Sequence, residues 1–138
     1  MLSAFFSDLF HAARAGAPCE LPLAPEDASL LMSLERTIDN LVHAGELSAA
    51  VIPRRRYWAL PALLVPLGEL VQRLEQVYGA GSTDRVQFRP QATARAMFSQ
   101  GPLSAAGAIA LGFRGDTDVG DFVRNVIASW PSLQPRQS

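Results

Sequence analysis

Apolar residues recur three and four positions apart through much of this 138-residue chain, and this helical spacing limits its fold more than any other feature. Between these stripes lie short segments in which apolar and polar residues alternate, a pattern typical of half-buried strands. We therefore predict an α+β fold that is rich in helices, with about five helices and two or three short strands. The helical segments are residues 2–13, 33–47, 66–79, 91–98, 105–111 and 118–130, and the strand segments are residues 18–23, 57–60 and 85–89.

Capping residues indicate where several of these helices begin and end. Ser33 and Ser104 stand at positions where a hydroxyl can accept a hydrogen bond from the first turn of a helix. Asp118 with Asp121 three residues later approximates a capping box. Gly79 follows the last apolar residue of its helix, where a left-handed residue commonly ends the helix.

Two of the apolar stripes lead to predictions about burial. The helix over residues 33–47 is predicted to bury its apolar stripe in the core. The N-terminal helix is so apolar that it needs a partner surface, supplied either by this chain or by another one, and we predict that it forms the contact between copies in a homo-oligomer. The first stripe comprises Leu34, Ile38, Leu41 and Val42, and the second comprises Phe5, Phe6, Leu9 and Phe10.

The chain contains no lysine, since all twelve of its cationic residues are arginine. This absence excludes a Schiff base to pyridoxal phosphate, a phosphate-loop lysine and a Tyr-x-x-x-Lys pair for proton transfer. The two tyrosines agree with this conclusion, because Tyr57 is followed four positions later by Pro61 and Tyr78 by Ser82. We therefore predict no catalytic residues in this chain.

Charge and composition narrow the choice of partners and compartment. A net charge of -1 gives no field that would attract nucleic acid. No apolar run approaches the roughly 18 residues of a membrane-spanning helix, so no membrane contact is expected. The single Cys19 excludes an internal disulfide and a thiolate zinc cluster, and it fits the reducing cytoplasm.

Four segments, taken in order, are similar to the extended short-chain dehydrogenases/reductases of the NAD-dependent epimerase/dehydratase superfamily. Residues 38–47, Ile-Asp-Asn-Leu-Val-His-Ala-Gly-Glu-Leu, resemble a helix of that family, and residues 2–20 resemble a helix followed by a Val-Cys-Pro strand. Residues 58–71, with Leu-Pro-Ala-Leu-Leu-Val, look like a segment of the D-erythronate dehydrogenase branch. Residues 104–113, which end in Leu-Gly-Phe, resemble an ending common to the superfamily. The resemblance covers nearly the whole chain.

The resemblance implies the C-terminal, substrate-binding portion of such an enzyme, without the dinucleotide-binding half. Residues 1–138 are then a single substrate-binding type of domain with no Rossmann unit. NAD or NADP is the cofactor of the full-length family, and no cofactor-binding residue is expected in this chain. Gly79-Ala-Gly81 follows a helix instead of a strand and lacks a third glycine, so we interpret it as a helix cap and loop.

The family resemblance also implies where a substrate would bind. The segment after the third predicted strand reaches over the substrate pocket in that family, which makes Arg89, Arg95 and Phe98 the candidate substrate contacts. A guanidinium can hold a carboxylate through two parallel hydrogen bonds. Asp39 and His43 lie one helical turn apart, but two groups do not make a metal site, and we expect a surface hydrogen bond there instead.

Three functional hypotheses remain open. The chain is a substrate-domain fragment or split half of an NAD(P)-dependent oxidoreductase or epimerase that acts on a sugar acid or nucleotide sugar, and it is inactive alone. Its partner is then a separately encoded nucleotide-binding half or further copies of itself. Alternatively, it is a stand-alone, non-catalytic module that binds a partner or a small ligand. The third hypothesis, an enzyme of another kind that uses Asp39, His43 or the arginines, is disfavoured by the missing lysine and glycine loop.

Overall fold

The computed structural model describes residues 4–54 and 57–136. Within these residues it contains six α-helices and four short strands, which confirms the predicted helix-rich α+β fold. The helices are α1 (Phe5–Ala15), α2 (Leu34–Glu46), α3 (Leu67–Tyr78), α4 (Ala92–Phe98), α5 (Ala106–Ala110) and α6 (Val119–Ser129), and the strands are β1 (Cys19–Leu21), β2 (Ala28–Leu31), β3 (Leu63–Pro66) and β4 (Val86–Phe88).

The strands form two separate pairs. Strands β1 and β4 are parallel, with Cys19 opposite Val86 and Leu21 opposite Phe88. Strands β2 and β3 are antiparallel, and their register runs from Ala28 opposite Pro66 to Leu31 opposite Leu63. A two-stranded sheet is marginal by itself in water. Both pairs therefore depend on the helices that pack against them.

The core lies where α1, α3 and α6 pack against one another. Leu9 of α1, Leu70 and Leu74 of α3 and Val123 of α6 are all buried in one cluster. The apolar stripe of the N-terminal helix therefore packs into the core of its own chain. The prediction that α1 forms the contact between copies is wrong, because the side chains of Phe5, Leu9 and Phe10 are already covered by α3, β1 and α6.

The apolar stripe of α2 is also placed differently from the prediction. Helix α2 has one buried residue, Asn40, and the four residues of its apolar stripe are exposed. The side chain of Asn40 makes two hydrogen bonds to the backbone of Arg114, with Nδ2 donating to the carbonyl oxygen at 2.7 Å and Oδ1 accepting from the N–H at 3.0 Å. Because these bonds hold the polar face inward, the apolar face points outward.

The strands also differ from the prediction in two places. Residues 57–60 form no strand in the part of the chain that the structure describes, and β3 begins three residues later at Leu63. Strand β2 was not predicted, because its sequence Ala-Ser-Leu-Leu does not alternate. It forms because β3 pairs with it, and the Ser29 hydroxyl donates a hydrogen bond to the carbonyl oxygen of Phe98.

The capping predictions at Ser33 and Asp118 are confirmed, and Gly79 ends α3 with a positive φ of 104° but outside the left-handed helical region. The Ser33 hydroxyl accepts from the backbone N–H of Arg36 at 3.4 Å, and the Asp118 carboxylate accepts from that of Asp121 at 2.8 Å. Ser104 does not cap α5, since that helix begins at Ala106 after Ala105. Among residues 4–54 and 57–136, no helix combines the length and the hydropathy that crossing a membrane requires.

We predict that Leu70→Ala lowers the free energy of unfolding by about 2–5 kcal/mol, because Leu70 is completely buried between packed helices and its removal leaves a cavity. The matched control is Leu103→Ala, which removes the same atoms from an exposed side chain and should change stability by less than about 0.5 kcal/mol. Urea unfolding followed by circular dichroism measures both. Equal losses in the two variants would contradict this assignment of the core.

A second stability prediction concerns Gly115, which the loop after α5 brings against Pro61. A Cβ atom at residue 115 would lie 1.8 Å from the carbonyl oxygen of Pro61, so any side chain must push the two segments apart. We expect Gly115→Ala to destabilise the chain by about 1–3 kcal/mol. Gly101→Ala is the control, because no atom lies within 4 Å of the added methyl group there. A neutral Gly115→Ala variant would show that these segments are not in contact.

Candidate functional site

The segment from Arg89 to Gln100 carries the three predicted substrate contacts and lies across β1 and β2. The backbone N–H of Arg89 donates to the carbonyl oxygen of Leu21 at 2.8 Å. The backbone N–H of Gln100 donates to the carbonyl oxygen of Ala28, and its side-chain Oε1 accepts from the N–H of Leu30 at 2.8 Å. Helix α4 is therefore held at both ends against the strand pairs.

Asp27 is the main polar contact beneath α4. Its carboxylate is 4% exposed and accepts hydrogen bonds at 2.8–2.9 Å from the Arg95 guanidinium, the Ser99 hydroxyl and the backbone N–H of Ala24. Arg95 donates one of these bonds from Nη2 at 2.9 Å, and its Nε forms an ion-pair contact of 2.8 Å with the other carboxylate oxygen. The four contacts fill the acceptor positions of the carboxylate. Asp27 therefore has no capacity left for a ligand.

The charges of this pair stabilise each other. The hydrogen bonds from Arg95 lower the pKa of Asp27 most strongly, and those from Ala24 and Ser99 act in the same direction, while burial opposes them. The hydrogen bonds to Asp27 also raise the pKa of the Arg95 guanidinium. Both groups therefore remain ionised at neutral pH.

The position of Arg95 leaves part of its guanidinium for a second anion. Asp27 uses the side edge of the guanidinium, formed by Nε and Nη2. A guanidinium has a second edge, formed by Nη1 and the other hydrogen of Nη2, which points away from the first. The Arg95 side chain is 47% exposed, so this end edge can meet solvent or a ligand. Asp27 fixes the plane in which it lies.

The other two predicted contacts are placed less favourably for a ligand. The Arg89 guanidinium is exposed, and its Nε lies 3.0 Å from a carboxylate oxygen of Glu20. Phe98 is half-buried, and its ring packs edge-on against that of Phe5 with the centroids 5.4 Å apart. Arg89, Arg95 and Phe98 therefore share one segment, but each makes a different contact. Their role as substrate contacts stays a prediction.

An apolar groove of about 470 Å³ lies elsewhere, between the start of α1, the junction of β2 with α2, and the end of α6. None of its lining side chains carries a charge. A phenylalanine ring of α6 and the tryptophan ring that follows this helix form part of one wall. The lining residues include Phe6, Phe10, Leu31, Leu34, Phe122 and Trp130.

A second cavity of about 550 Å³ lies between the loop before β3 and the N-terminal side of α5. It is lined by Tyr57, Trp58 and Leu103, and Trp58 also packs against Phe113 with the ring centroids 5.9 Å apart. Neither cavity includes Arg89, Arg95 or Phe98. The sequence did not indicate these cavities, because their walls come from elements that are distant along the chain.

The residues proposed for the third hypothesis do not form a reactive group. Asp39 lies 3.4 Å from the Arg36 guanidinium, whereas Nε2 of His43 lies 2.7 Å from the carbonyl oxygen of Leu111. Cys19 is not activated as a nucleophile either. The pKa of its thiol is raised, mainly by burial, and this disfavours the reactive thiolate form. In the described part of the chain, no cluster of three or more His, Cys, Asp or Glu residues could hold a metal ion.

Sequence reasoning missed Asp27 and Asn40 as the polar contacts that arrange the fold. Asp27 lies in Pro25-Glu26-Asp27, which has the composition of an ordinary turn. Asn40 belongs to the Asp-Asn pair that carries part of the family resemblance. Its apolar neighbours in the sequence, however, suggest that the apolar side of α2 faces the core, which would leave Asn40 outside. A long-range contact to the backbone of Arg114 has no signal in the local pattern.

Comparison with known proteins identifies relatives for this architecture. No model of a known protein family matches the chain. The chain is 29% identical over 124 residues to a D-erythronate dehydrogenase of Cupriavidus necator, and the match covers 88% of this chain and 38% of that protein. This chain therefore spans about two fifths of the length of the relative.

Solved structures with the same fold show the same partial coverage. A nucleoside-diphosphate-sugar epimerase from Agrobacterium tumefaciens superposes with a TM-score of 0.80 at 22% identity, over 92% of this chain and 38% of the epimerase. An L-threonine 3-dehydrogenase from Trypanosoma brucei superposes with a TM-score of 0.77 at 18% identity, over 99% of this chain and 43% of the dehydrogenase. The resemblance inferred from the sequence is confirmed, since the chain shares the fold of about two fifths of the length of these enzymes, as the predicted C-terminal portion requires.

We predict that Asp27→Asn destabilises the chain by roughly 1–3 kcal/mol at pH 7, because it leaves the Arg95 guanidinium without its buried anionic partner. The pKa of Asp27 is lower in the folded state than the ordinary value of 3.8. Its ionised form therefore stabilises the fold above that value, and the contribution is lost as the pH falls through the folded pKa. The difference between wild type and Asp27→Asn should accordingly shrink as the pH falls below about 4.

Urea unfolding at pH 7 and at successively lower pH measures this difference. Asp39→Asn is the control, because Asp39 is an exposed carboxylate whose loss should change stability by less than about 0.5 kcal/mol. A deficit in Asp27→Asn that is the same at every pH would mean that charge plays no part in the contact.

Proposed function

We propose that these residues form the substrate-binding part of an NAD(P)-dependent oxidoreductase or epimerase that acts on a sugar acid or a nucleotide sugar. The observation that carries the proposal is the 29% identity to a D-erythronate dehydrogenase, which extends over 88% of the chain. An epimerase of nucleoside-diphosphate sugars among the proteins of similar fold supports the same substrate class. Residues 1–138 act in this proposal as a single substrate-binding unit.

We propose further that the chain has no redox activity by itself. Its twelve cationic residues are all arginine, so it offers no lysine to assist proton transfer from a tyrosine. In this proposal, NAD or NADP binds a nucleotide-binding half that lies outside these 138 residues, and the compartment is the cytoplasm. In the absence of that half, the chain associates with further copies of itself.

Arg95 is the substrate contact that the geometry favours most. Asp27 orients its guanidinium through the side edge, and the Arg95 side chain is 47% exposed. The end edge would hold the carboxylate of a sugar acid or the phosphate of a nucleotide sugar through two parallel hydrogen bonds. Arg89 and Phe98 flank it in the same segment. Arg89 contributes positive charge, and Phe98 contributes an apolar edge.

The alternative is a stand-alone, non-catalytic module that binds a partner or a small ligand. The specific observation in its favour is the uncharged groove of about 470 Å³, which contains none of the proposed substrate contacts. A module of this kind would bind an apolar ligand and would not bind sugar acids. The two proposals therefore differ in the chemistry of the ligand.

Calorimetric titration of the purified chain with NAD, NADP and a panel of sugar acids that includes D-erythronate tests the proposal. We expect saturable heat from a sugar acid and none from either nucleotide. Arg95→Lys keeps the charge but loses the planar pair of donors, and it should weaken the affinity for the acid roughly tenfold. Arg73→Lys, an exposed arginine of α3, is the matched control and should bind as wild type does.

Two results would overturn the proposal. One is micromolar affinity for a nicotinamide nucleotide, and the other is oxidation of a hydroxy acid by the purified chain without a second polypeptide. An Arg95→Lys variant that binds the acid as tightly as wild type would remove Arg95 from the site. Circular dichroism establishes that each variant is folded.

A further inference from the structure

The apolar groove between α1, the junction of β2 with α2, and α6 has a buried floor and an exposed rim. The floor is formed by core side chains, Phe10, Phe122 and Leu133. The rim is formed by side chains that reach solvent, among them Leu34 (60% exposed) and Trp130 (45% exposed). The groove is therefore a hollow that opens to water above a closed core.

Hydrogen bonds to Asp116 hold two walls of the groove in place. The buried carboxylate of Asp116 accepts from the backbone N–H of Ser33 at 2.8 Å and from the hydroxyl of the same residue at 2.7 Å. The carboxylate also accepts from Nδ2 of Asn125 in α6 at 2.8 Å. Asp116 therefore connects the junction of β2 with α2 to α6, which lie on different sides of the groove.

The third wall is held by the segment that follows α6. The Tyr78 hydroxyl of α3 donates to the carbonyl oxygen of Leu133 at 2.6 Å. Nε of Arg14 in α1 donates to the carbonyl oxygen of Gln134 at 2.7 Å, and this bond keeps the segment against α1. Because the groove is formed before a ligand arrives, little conformational freedom is lost on binding.

The size of the groove fits a small molecule better than a protein. Its volume of about 470 Å³ lies within the roughly 300–1,000 Å³ of small-molecule pockets. Twelve residues line it, whereas a stable protein contact involves about 20–30 residues on each side. A partner chain would need more surface than the groove supplies.

The lining of the groove defines the chemistry of its ligand. No lining side chain is charged, so a carboxylate or phosphate that entered would lose water without gaining a cation. Aromatic rings pack well against other rings, edge-on or offset, beyond the gain from burial. The lining contains four aromatic side chains, Phe6, Phe10, Phe122 and Trp130. These features select an uncharged aromatic molecule.

One hydroxyl of the lining has both its donor and its acceptor available. The Ser33 hydroxyl is bonded to Asp116, and the Ser129 hydroxyl donates to the carbonyl oxygen of Asn125 at 2.9 Å. In the part of the chain that the structure describes, the half-buried Ser7 hydroxyl has no hydrogen-bond partner. A hydroxyl can donate to or accept from a polar group of a ligand. Ser7 therefore supplies the polar contact of the groove.

We infer that the groove binds an uncharged aromatic small molecule that carries one hydrogen-bonding group, which Ser7 holds. None of Arg89, Arg95 and Phe98 lines the groove, so this site is additional to the proposed substrate contacts and does not depend on them. Its affinity comes mainly from the removal of aromatic surfaces from water. The hydrogen bond to Ser7 sets the orientation of the ligand.

Equilibrium dialysis of the purified chain against naphthol, naphthalene and naphthoate tests this chemistry. We expect saturable binding of naphthol with a Kd below about 100 μM. Naphthalene should bind roughly three- to tenfold more weakly, because it makes no hydrogen bond to Ser7. Naphthoate should bind at least roughly tenfold more weakly than naphthol, because its carboxylate meets no cation. Ser7→Ala should lower the affinity for naphthol to that for naphthalene and leave the latter unchanged.

Two tryptophan substitutions at the end of α6 test the location of the site. Ser129 lines the groove and is exposed, so Ser129→Trp adds a ring that fills the groove without disturbing the core. This variant should bind naphthol at least roughly tenfold more weakly than wild type. Ala128→Trp adds the same ring at an exposed neighbouring position that does not line the groove, and it should bind as wild type does. Circular dichroism establishes that each variant is folded.

Several outcomes would overturn the inference. They are the absence of saturable naphthol binding, naphthoate that binds as tightly as naphthol, and a Ser129→Trp variant that binds as wild type does. Affinity that falls as the protein concentration rises would show that another copy of the chain covers the groove, and it would also overturn the inference. Excess sugar acid should not displace naphthol, because the two sites share no residue. A chain that binds naphthol and no sugar acid would leave this inference intact and remove the substrate proposal.

Discussion

The orientation of α2 depends on the pair of hydrogen bonds between the side chain of Asn40 and the backbone of Arg114. An amide side chain has a donor and an acceptor side by side, so it can pair with the N–H and carbonyl of one residue much as a neighbouring strand does. This contact is buried, and losing either partner would leave polar atoms without water or protein to bond. It therefore decides which side of the helix faces the core, against the hydrophobic pattern of the helix itself.

Asp27 plays a comparable part on the other side of the molecule. It connects the turn before β2 to the α4 segment through the guanidinium of Arg95 and the hydroxyl of Ser99, and it also accepts from the backbone N–H of Ala24 within its own turn. A buried carboxylate is costly unless all of its acceptor positions are used, and here they are. The same contact that supports α4 also orients the guanidinium of Arg95. The position of α4 and the orientation of the Arg95 guanidinium therefore both depend on the ion pair between Asp27 and Arg95.

Much of the fold could be predicted from the sequence, and the errors have a common physical origin. Helix α3 was predicted to within one residue at each end, because its apolar stripe and its end near Gly79 are clear, although Pro66 is its N-cap and not its first residue. The stripe of α2 is equally clear, yet its burial was predicted wrongly. Periodicity shows that the apolar residues share one side of the helix, but it does not show whether another element covers that side. Strand β2 was missed because its partner β3 determines it, and the groove was missed because its walls are far apart in sequence. The candidate segment of Arg89, Arg95 and Phe98 came from family resemblance, while the role of Asp27 required the structure.

The parallel pairing of β1 with β4 has a consequence for how the chain reaches its fold. Cys19 pairs with Val86 only after the region between them has been synthesised, so α1 and β1 lack their β4 partner until then. Contacts this distant along the chain slow folding, because a large loop must close before they form. Until then, the phenylalanines of α1 are accessible to other hydrophobic surfaces in the cell. Chaperone dependence and slow maturation are the expected behaviour of such a topology.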